Sequence, residues 1–261
     1  MNTHDMSHIV TEVADGVQRI EIRRPEKKNA LTQAMYAGMA KALAEAERDR
    51  AVRVILIHGQ PQIFTSGNDI ADFLQHPEAA TEDAPVFQFL RNLMYAKKPV
   101  LAAVTGAAIG IGTTLLLHCD YVIAGQGAEF AMPFVNLALC PEAGSSLLLP
   151  LLVGQKRASE LLLFGDKFSA EEALSMGLIN SVVADVDVGT HAMAKARTLA
   201  QKPRAALLAT KSLLKAKLVP QIEKAMIEEA HEFGDRLASA ESKEALTAFL
   251  EKRRPDYSRF Q

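Results

Sequence analysis

Apolar positions along the chain switch between a period of two and a period near 3.6, and the switches mark out the elements. Ile9–Ala14 and Val17–Arg23 are short runs of strand type on either side of Asp15–Gly16, a two-residue hairpin turn signal. Thr32 stands where its hydroxyl can accept from the first free N–H groups of a helix predicted to reach Arg50, with Met35, Met39, Leu43 and Ala46 on one face. Val52–Ile57 and Pro99–Val104 are apolar runs of the kind buried on both faces of a sheet. Ala84–Tyr95 reads as a helix, Gly110–His118 as a helix opening directly after a glycine-rich turn, and Asp120–Ala124 and Ile179–Val183 as further strands. Helices dominate from Ser145 onward. Pro203, at a first helical turn, starts an all-helical tail that runs to about Lys252 with Ile222, Met226, Ala230, Phe233 and Leu237 along one apolar stripe. No fixed-period repeat and no low-complexity linker interrupts this order. The pattern predicts an α/β core over residues 1–200 and a helical region over 201–261, joined in one cooperative unit.

Composition narrows the function classes. The chain has 261 residues, so area scaling allows roughly three quarters of the unfolded surface to be buried without a disulfide or a metal. Hydrophobic residues at 49% and charged residues at 23% exclude a disordered chain. The 29 basic and 31 acidic side chains leave a net charge of −2, which argues against a nucleic-acid partner. Cys119 and Cys140 can build neither a disulfide framework nor a metal site, and fit a reducing compartment. Met1–His8 lacks the apolar core of a signal peptide, and Arg259–Gln261 is not a peroxisomal address, which leaves the cytoplasm as the expected location. Pro99–Cys119 has the length of a membrane span and no Asp, Glu, Lys or Arg. Its three glycines, three threonines and opening proline instead describe a buried strand, a glycine loop and a buried helix, so no membrane partner is expected.

Three segments could carry chemistry. Between Glu129 and Lys156 the only charged residue is Glu142. A carboxyl in apolar surroundings has a raised pKa and suits proton transfer, whereas the same residue in a solvated Pro-Glu-Ala-Gly turn would only favour the helix that follows. Gly106-Ala-Ala-Ile-Gly110-Ile-Gly112 matches neither the dinucleotide nor the P-loop spacing. It leaves a helix N-terminus able to hold an oxyanion or a phosphate, or else a close strand–helix contact. Phe64-Thr-Ser-Gly-Asn-Asp-Ile70 follows the strand Val52–Ile57, where ligands of open α/β sheets bind. His58 and His118 adjoin apolar runs without a carboxylate at useful spacing and read as packing residues, and Ser145–Ser146 read as helix caps. No cluster of metal ligands stands out, and no metal is expected.

Taken in order, these segments resemble the crotonase superfamily, the enoyl-CoA hydratase/isomerase family. The likeness runs from Arg24-Pro-Glu-Lys-Lys-Asn-Ala-Leu31 through Phe64–Ile70, Lys98–Gly106, Cys119-Asp120, Gly165-Asp-Lys-Phe-Ser-Ala170, Ala173 and Gly177-Leu178 to Ala248-Phe-Leu-Glu-Lys-Arg-Arg254. The resemblance implies a spiral of ββα units with a helical C-terminal trimerisation region, assembled as a homotrimer or a dimer of trimers. It implies an acyl-CoA thioester as substrate, no separate cofactor, and an enolate held by two backbone N–H groups, carried here onto Ser66 and Ile111. A backbone donor tolerates any side chain, so isoleucine at 111 fits that role. Contacts to the thioester and its CoA fall on Lys28, Ala30, Ser66, Gly67, Asn68, Asp69, Ile70 and Gly110, with Phe134 and Leu139 beside the acyl group.

The departures from the family pattern bear on the reaction. A hydratase of this family uses two glutamates, and their positions here hold Thr114 and Phe134. Pro133-Phe-x-x-Leu-x-x-x-Pro-Glu142-x-x-Ser-Ser146, Phe64-x-Ser-Gly-Asn-Asp and Gly110-Ile-x-x-Thr-Leu-Leu are similar to the Δ3,Δ2-enoyl-CoA isomerase branch, where a glutamate at the Glu142 position is the acid/base. Expected walls around it are Phe134, Leu137, Leu139, Phe87 and Leu90. The alternatives are hydration, or another superfamily reaction, by a rearranged site, and a non-catalytic acyl-CoA-binding protein.

Overall fold

The computed structural model describes residues 3–6, 8–75 and 83–260. Met1, Asn2 and Ser7 of the N-terminal segment, and Gln261, lie outside them. Among the described residues the strands form two sheets. The larger takes β1 (Thr3–Met6), β2 (Ile9–Ala14), β3 (Val17–Ile22), β4 (Val54–His58), β6 (Val100–Val104), β8 (Tyr121–Gly125) and β11 (Ser181–Val183) in that spatial order. The smaller orders β10 (Phe168–Ser169), β9 (Glu129–Ala131), β7 (Ala107–Ile109) and β5 (Ile63–Thr65). Pairing is antiparallel through β1–β3 and parallel from β3 to β11, and it is parallel among β5, β7 and β9. Successive strands alternate between the sheets: β4 then β5, β6 then β7, β8 then β9. The chain thus climbs as a spiral of strand–strand–helix units.

The predicted elements are present, with informative shifts. Asp15 and Gly16 both take positive φ, 53° and 76°, as the hairpin turn requires. Helix α1 (Gln33–Arg48) is capped by Thr32, whose hydroxyl accepts from the Met35 N–H at 3.3 Å. It stops two residues before Arg50 because Asp49 turns extended and its carboxylate takes the Ala51 N–H at 2.8 Å. β4 is buried on both faces: Ile55 and Ile57 pack with α1 and α3 (Pro85–Met94), while Val54 and Leu56 pack under α8 (Val188–Ala200). Between them lies α2 (Ile70–Gln75). The uncharged stretch Pro99–Cys119 resolves into β6, β7, the single-turn helix α4 (Ile111–Thr114) and a 3₁₀ turn, so the helix predicted to reach His118 tightens after Thr114. Among the described residues no helix is long and apolar enough to cross a membrane.

Helices α5 (Ser145–Val153), α6 (Gln155–Phe164) and α7 (Ala170–Ser175) precede α8. The tail is three helices, α9 (Arg204–Lys215), α10 (Val219–Ala238) and α11 (Ala240–Leu250), broken at Ala216–Leu218 and at Ser239, which caps α11. Two lysines of α9 tie this region to the core. Lys211 Nζ donates to Asp120 Oδ2 at 2.6 Å and to the Lys98 carbonyl at 2.7 Å, and Lys215 Nζ donates to the His118 carbonyl at 2.6 Å. Removing one member of a pair this enclosed strands the other. Lys211→Ala is expected to lower the unfolding free energy by about 3 kcal/mol, measured by urea denaturation.

Candidate active site

The site is assembled at the carboxyl ends of β5, β7 and β9. Parallel pairing of these strands brings the segments that follow them, residues 66–70, 110–111 and 132–134, to one end of the small sheet. The apolar pattern places Phe64–Ile70 directly after the strand Val52–Ile57; a short strand without a periodic signal of its own, β5, intervenes and carries it. Asn29, fully buried, holds the first segment from below. Its amide donates to the Ile22, Ile63 and Phe64 carbonyls at 3.1–3.2 Å and its Oδ1 accepts from the Arg24 N–H at 2.7 Å. Gly67 takes φ +91°, and a Cβ there would lie 2.9 Å from the Ile109 carbonyl oxygen, so the loops after β5 and β7 touch.

A cleft of about 840 Å³ runs along these loops. Lys28, Ala30, Ser66, Gly67, Asn68, Asp69, Ile70, Gly110, Ile111, Phe134 and Leu139 all line it, together with Leu246, Phe249 and Arg253 from the C-terminal helical region. Asp69 has a further, structural role. Its Oδ2 accepts from Arg24 at 2.7 Å and its Oδ1 from the Ala71 and Asp72 N–H groups, so it caps α2. Burial pushes its carboxyl up, but those donors outweigh it and the pKa falls below the usual value.

The backbone donors need one correction. The Ser66 N–H donates to the Lys28 carbonyl at 3.1 Å and is not free for a ligand. Two residues on, the N–H of Asn68 has no partner among the described residues, and neither has that of Ile111, the first residue of α4. Both residues line the cleft. A local sequence pattern does not reveal which N–H a distant carbonyl has taken, and Lys28 lies 38 positions from Ser66.

Glu142 lies deeper, in a chamber that shares Asn68, Phe73 and Phe233 with the cleft and is otherwise walled by Val86, Phe87, Leu90, Ala143, Met226, Glu229 and Ala230. The expected walls divide between the two spaces: Phe134, Leu137 and Leu139 line the cleft, Phe87 and Leu90 the chamber. The solvated-turn reading of Glu142 fails here. The residue is half-buried, opens onto an apolar chamber, and takes one side-chain hydrogen bond, from the Thr114 hydroxyl at 2.9 Å. Burial pushes its carboxyl up to about 8; the Thr114 bond pulls the other way and the charge of Glu229 adds to the rise. Thr114 and Phe134, the two positions where a family hydratase carries glutamate, are buried and cannot exchange a proton.

Neighbouring polar groups hold this arrangement. His118 Nε2 donates to the Ala143 carbonyl at 2.7 Å, and burial pulls the imidazole down to about 4, so it is neutral and structural. The Tyr36 hydroxyl donates to Asn68 Oδ1. Ser145 and Ser146 do not cap α5. Gly144 stands at its N-terminus and the acceptor there is Glu229 of α10, which takes the Gly144 N–H at 2.6 Å, the Ser146 N–H at 2.9 Å and the Ser146 hydroxyl at 2.5 Å. Sequence reasoning passed over Glu229. Its signal is a lone carboxylate on the apolar stripe of α10, spaced with Ile222, Met226, Phe233 and Leu237.

The sequence model of the enoyl-CoA hydratase/isomerase family matches residues 12–259. The chain belongs to the enoyl-CoA hydratase/isomerase family. A probable enoyl-CoA hydratase of Rhodobacter capsulatus is 39% identical over 95% of this chain and 96% of its own length. Enoyl-CoA delta isomerase 2 of Rattus norvegicus is 33% identical over 91% of this chain and 62% of that protein. Among solved structures, Pseudomonas aeruginosa OdaA superposes with a TM-score of 0.92 at 47% identity, covering 94% of this chain and 99% of its own. The two-sheet spiral is accordingly the crotonase fold of this family, and the chain is an acyl-CoA-processing enzyme.

The raised carboxyl has a consequence for stability. A carboxyl held at about 8 in the folded protein, against 4.5 ordinarily, contributes fully below the lower value and loses that contribution as pH rises through the upper one. Glu142→Gln, which cannot ionise, is therefore expected to gain melting temperature relative to the parent between pH 5 and pH 9, and to plateau above the titration. Thermal unfolding of both proteins across that range measures the difference.

Proposed function

We propose that the protein isomerises 3-enoyl-CoA to trans-2-enoyl-CoA, with Glu142 as its single acid/base. The observation that carries this reading is the chamber itself: one reactive carboxyl, apolar walls, and no proton-transferring group at positions 114 and 134. The Glu142 carboxylate removes a C2 proton, and electrons move onto the thioester oxygen and across C2–C4. That oxygen accepts from the N–H groups of Asn68 and Ile111, two cleft-lining donors without a partner among the described residues. Each such donor is worth about 3 kcal/mol of barrier lowering. The protonated Glu142 then returns the proton at C4. Nothing is added or lost, so one mobile proton and one carboxyl suffice, and acyl-CoA is substrate rather than resident cofactor.

The lining of the cleft supports the remaining assignments. Lys28, Ala30, Gly67, Asp69 and Ile70 line it and are assigned to the CoA portion, and Gly110, Phe134 and Leu139 line it and are assigned to the thioester and its acyl group. Residues 1–200 supply most of this surface, and 201–261 close it through α10 and α11. The rat delta isomerase relative agrees with the reading. Hydration is favoured by the hydratase names of several relatives, that of Rhodobacter among them. It needs a second carboxyl to activate water, and Glu229, the other acid of the chamber, has both oxygens engaged. A binding-only protein gains nothing from a carboxyl whose charged form burial disfavours.

Turnover of 3-enoyl-CoA in heavy water, followed by NMR, is expected to give 2-enoyl-CoA with deuterium at C2 or C4. Glu142→Gln should cost about a thousandfold in kcat. Because the base must be ionised, kcat/KM is expected to rise with pH and level off above about 8. Formation of 3-hydroxyacyl-CoA from 2-enoyl-CoA, with no isomerisation, would identify the protein as a hydratase.

The assembly we propose is a homotrimer or a dimer of trimers in the cytoplasm. Leu163 and Phe164 on α6 and Leu213 and Leu214 on α9 are exposed apolar side chains available for contacts between copies. Both cysteines are free thiols, as in a reducing compartment. Light scattering is expected to give three or six chain masses; a stable monomer excludes the assembly.

A further inference from the structure

The turn that carries Glu142 is held from behind by a helix of the C-terminal region. Ala143 and Gly144, the next two residues, take φ of 63° and 70°. Ala143 bears a side chain in a conformation that favours glycine, so the turn does not hold this shape on local preference. A Cβ on Gly144 would lie 3.1 Å from the Ile222 methyl, so α10 lies directly against the turn. Glu229, two helical turns along α10, then accepts from the Gly144 N–H, the Ser146 N–H and the Ser146 hydroxyl, and the residue is 8% exposed.

We propose that Glu229 is the positioning residue of the reaction: it fixes the N-terminus of α5 so that the Glu142 carboxyl is aimed into the chamber. This rests on Glu142 being the acid/base. Both Glu229 oxygens are occupied as acceptors, so it does not itself move protons. Its charge does reach Glu142 and raises the pKa there. The other groups near Glu142 are neutral at working pH: Tyr36 from α1, Thr114 from α4, His118 from the 3₁₀ turn, and Cys140, whose Sγ lies 3.8 Å from the Glu229 carbonyl and whose thiol burial pushes up to about 12. Burial supplies most of the rise at Glu142, and Glu229, whose own carboxyl burial also pushes up, adds to it as the nearby anion. The C-terminal helical region becomes part of the catalytic apparatus in the same chain.

The test uses Glu229→Gln, close in shape, and Glu229→Ala, in the full-length protein. Kinetics of 3-enoyl-CoA isomerisation are measured from pH 6 to pH 10, with CoA-thioester affinity measured separately. We expect kcat to fall about tenfold for Gln and about a hundredfold for Ala, the scale of a small misplacement of a reacting group, with KM nearly unchanged. The acid limb of kcat/KM should move to lower pH in both, because a like charge has gone. Parental kcat with an unmoved limb in Glu229→Gln overturns the proposal. So does a loss of CoA-thioester binding along with activity in that variant, which makes Glu229 a folding residue only. If the parent protein itself performs no isomerisation, the proposed function fails, and the role given to Glu229 in that reaction fails with it.

Discussion

Charge on a carboxyl is disfavoured in hydrocarbon, and the site is organised around that disfavour. Water would solvate Glu142 and return its pKa toward 4.5. Phe73, Phe87, Leu90, Met226 and Phe233 withhold that water, leaving one hydroxyl donor from Thr114. The result is a carboxyl near 8, a stronger base when ionised than a solvated glutamate and still able to return its proton. In the proposed isomerisation the same walls would keep water from the substrate's double bond. Thr114 has a double part in this, since it stands where a hydratase has an acid and instead donates a hydrogen bond to the Glu142 carboxyl.

Backbone hydrogen bonding decides which amides are free to meet charge that develops on a substrate. Around residues 64–70 nearly every polar main-chain group has a fixed partner: Lys28 takes the Ser66 N–H, Thr65 takes that of Gly67, and Leu31 takes that of Asp69. Asn68 is left over, as are Ile70 at the first turn of α2 and Ile111 at the first turn of α4. Unpaired donors held by a hydrogen-bonded frame need little reorganisation to bind an anion, which is the condition for electrostatic preorganisation. The buried Asn29 and the Arg24–Asp69 pair belong to that frame, and they give the segment Arg24–Leu31 a physical reason to accompany the loop it supports.

The element types were legible because periodicity reports burial directly. The two-sided burial of β4, the cap at Thr32, the hairpin at Asp15–Gly16 and the apolar stripe of α10 all follow from local side-chain pattern. The cleft-lining residues were legible from the ordered motifs. Two local features misled. Ser145 and Ser146 have the composition of a cap, yet the cap comes from Glu229, 83 positions after Ser146. Ser66 has a backbone N–H like any other, and only the arrival of Lys28 from an earlier loop removes it.

The sequence by itself determined the alternation of strands and helices, the absence of charge around Glu142, and the loss of both hydratase glutamates, because each is a matter of residue type and spacing. Only the tertiary structure decided which amides remain unpaired, that the turn after Pro141 opens onto an apolar chamber, and that α10 returns a carboxylate to its back. Those outcomes depend on hydrogen-bond partners and neighbours tens of residues apart, and local pattern carries no record of which distant group will arrive.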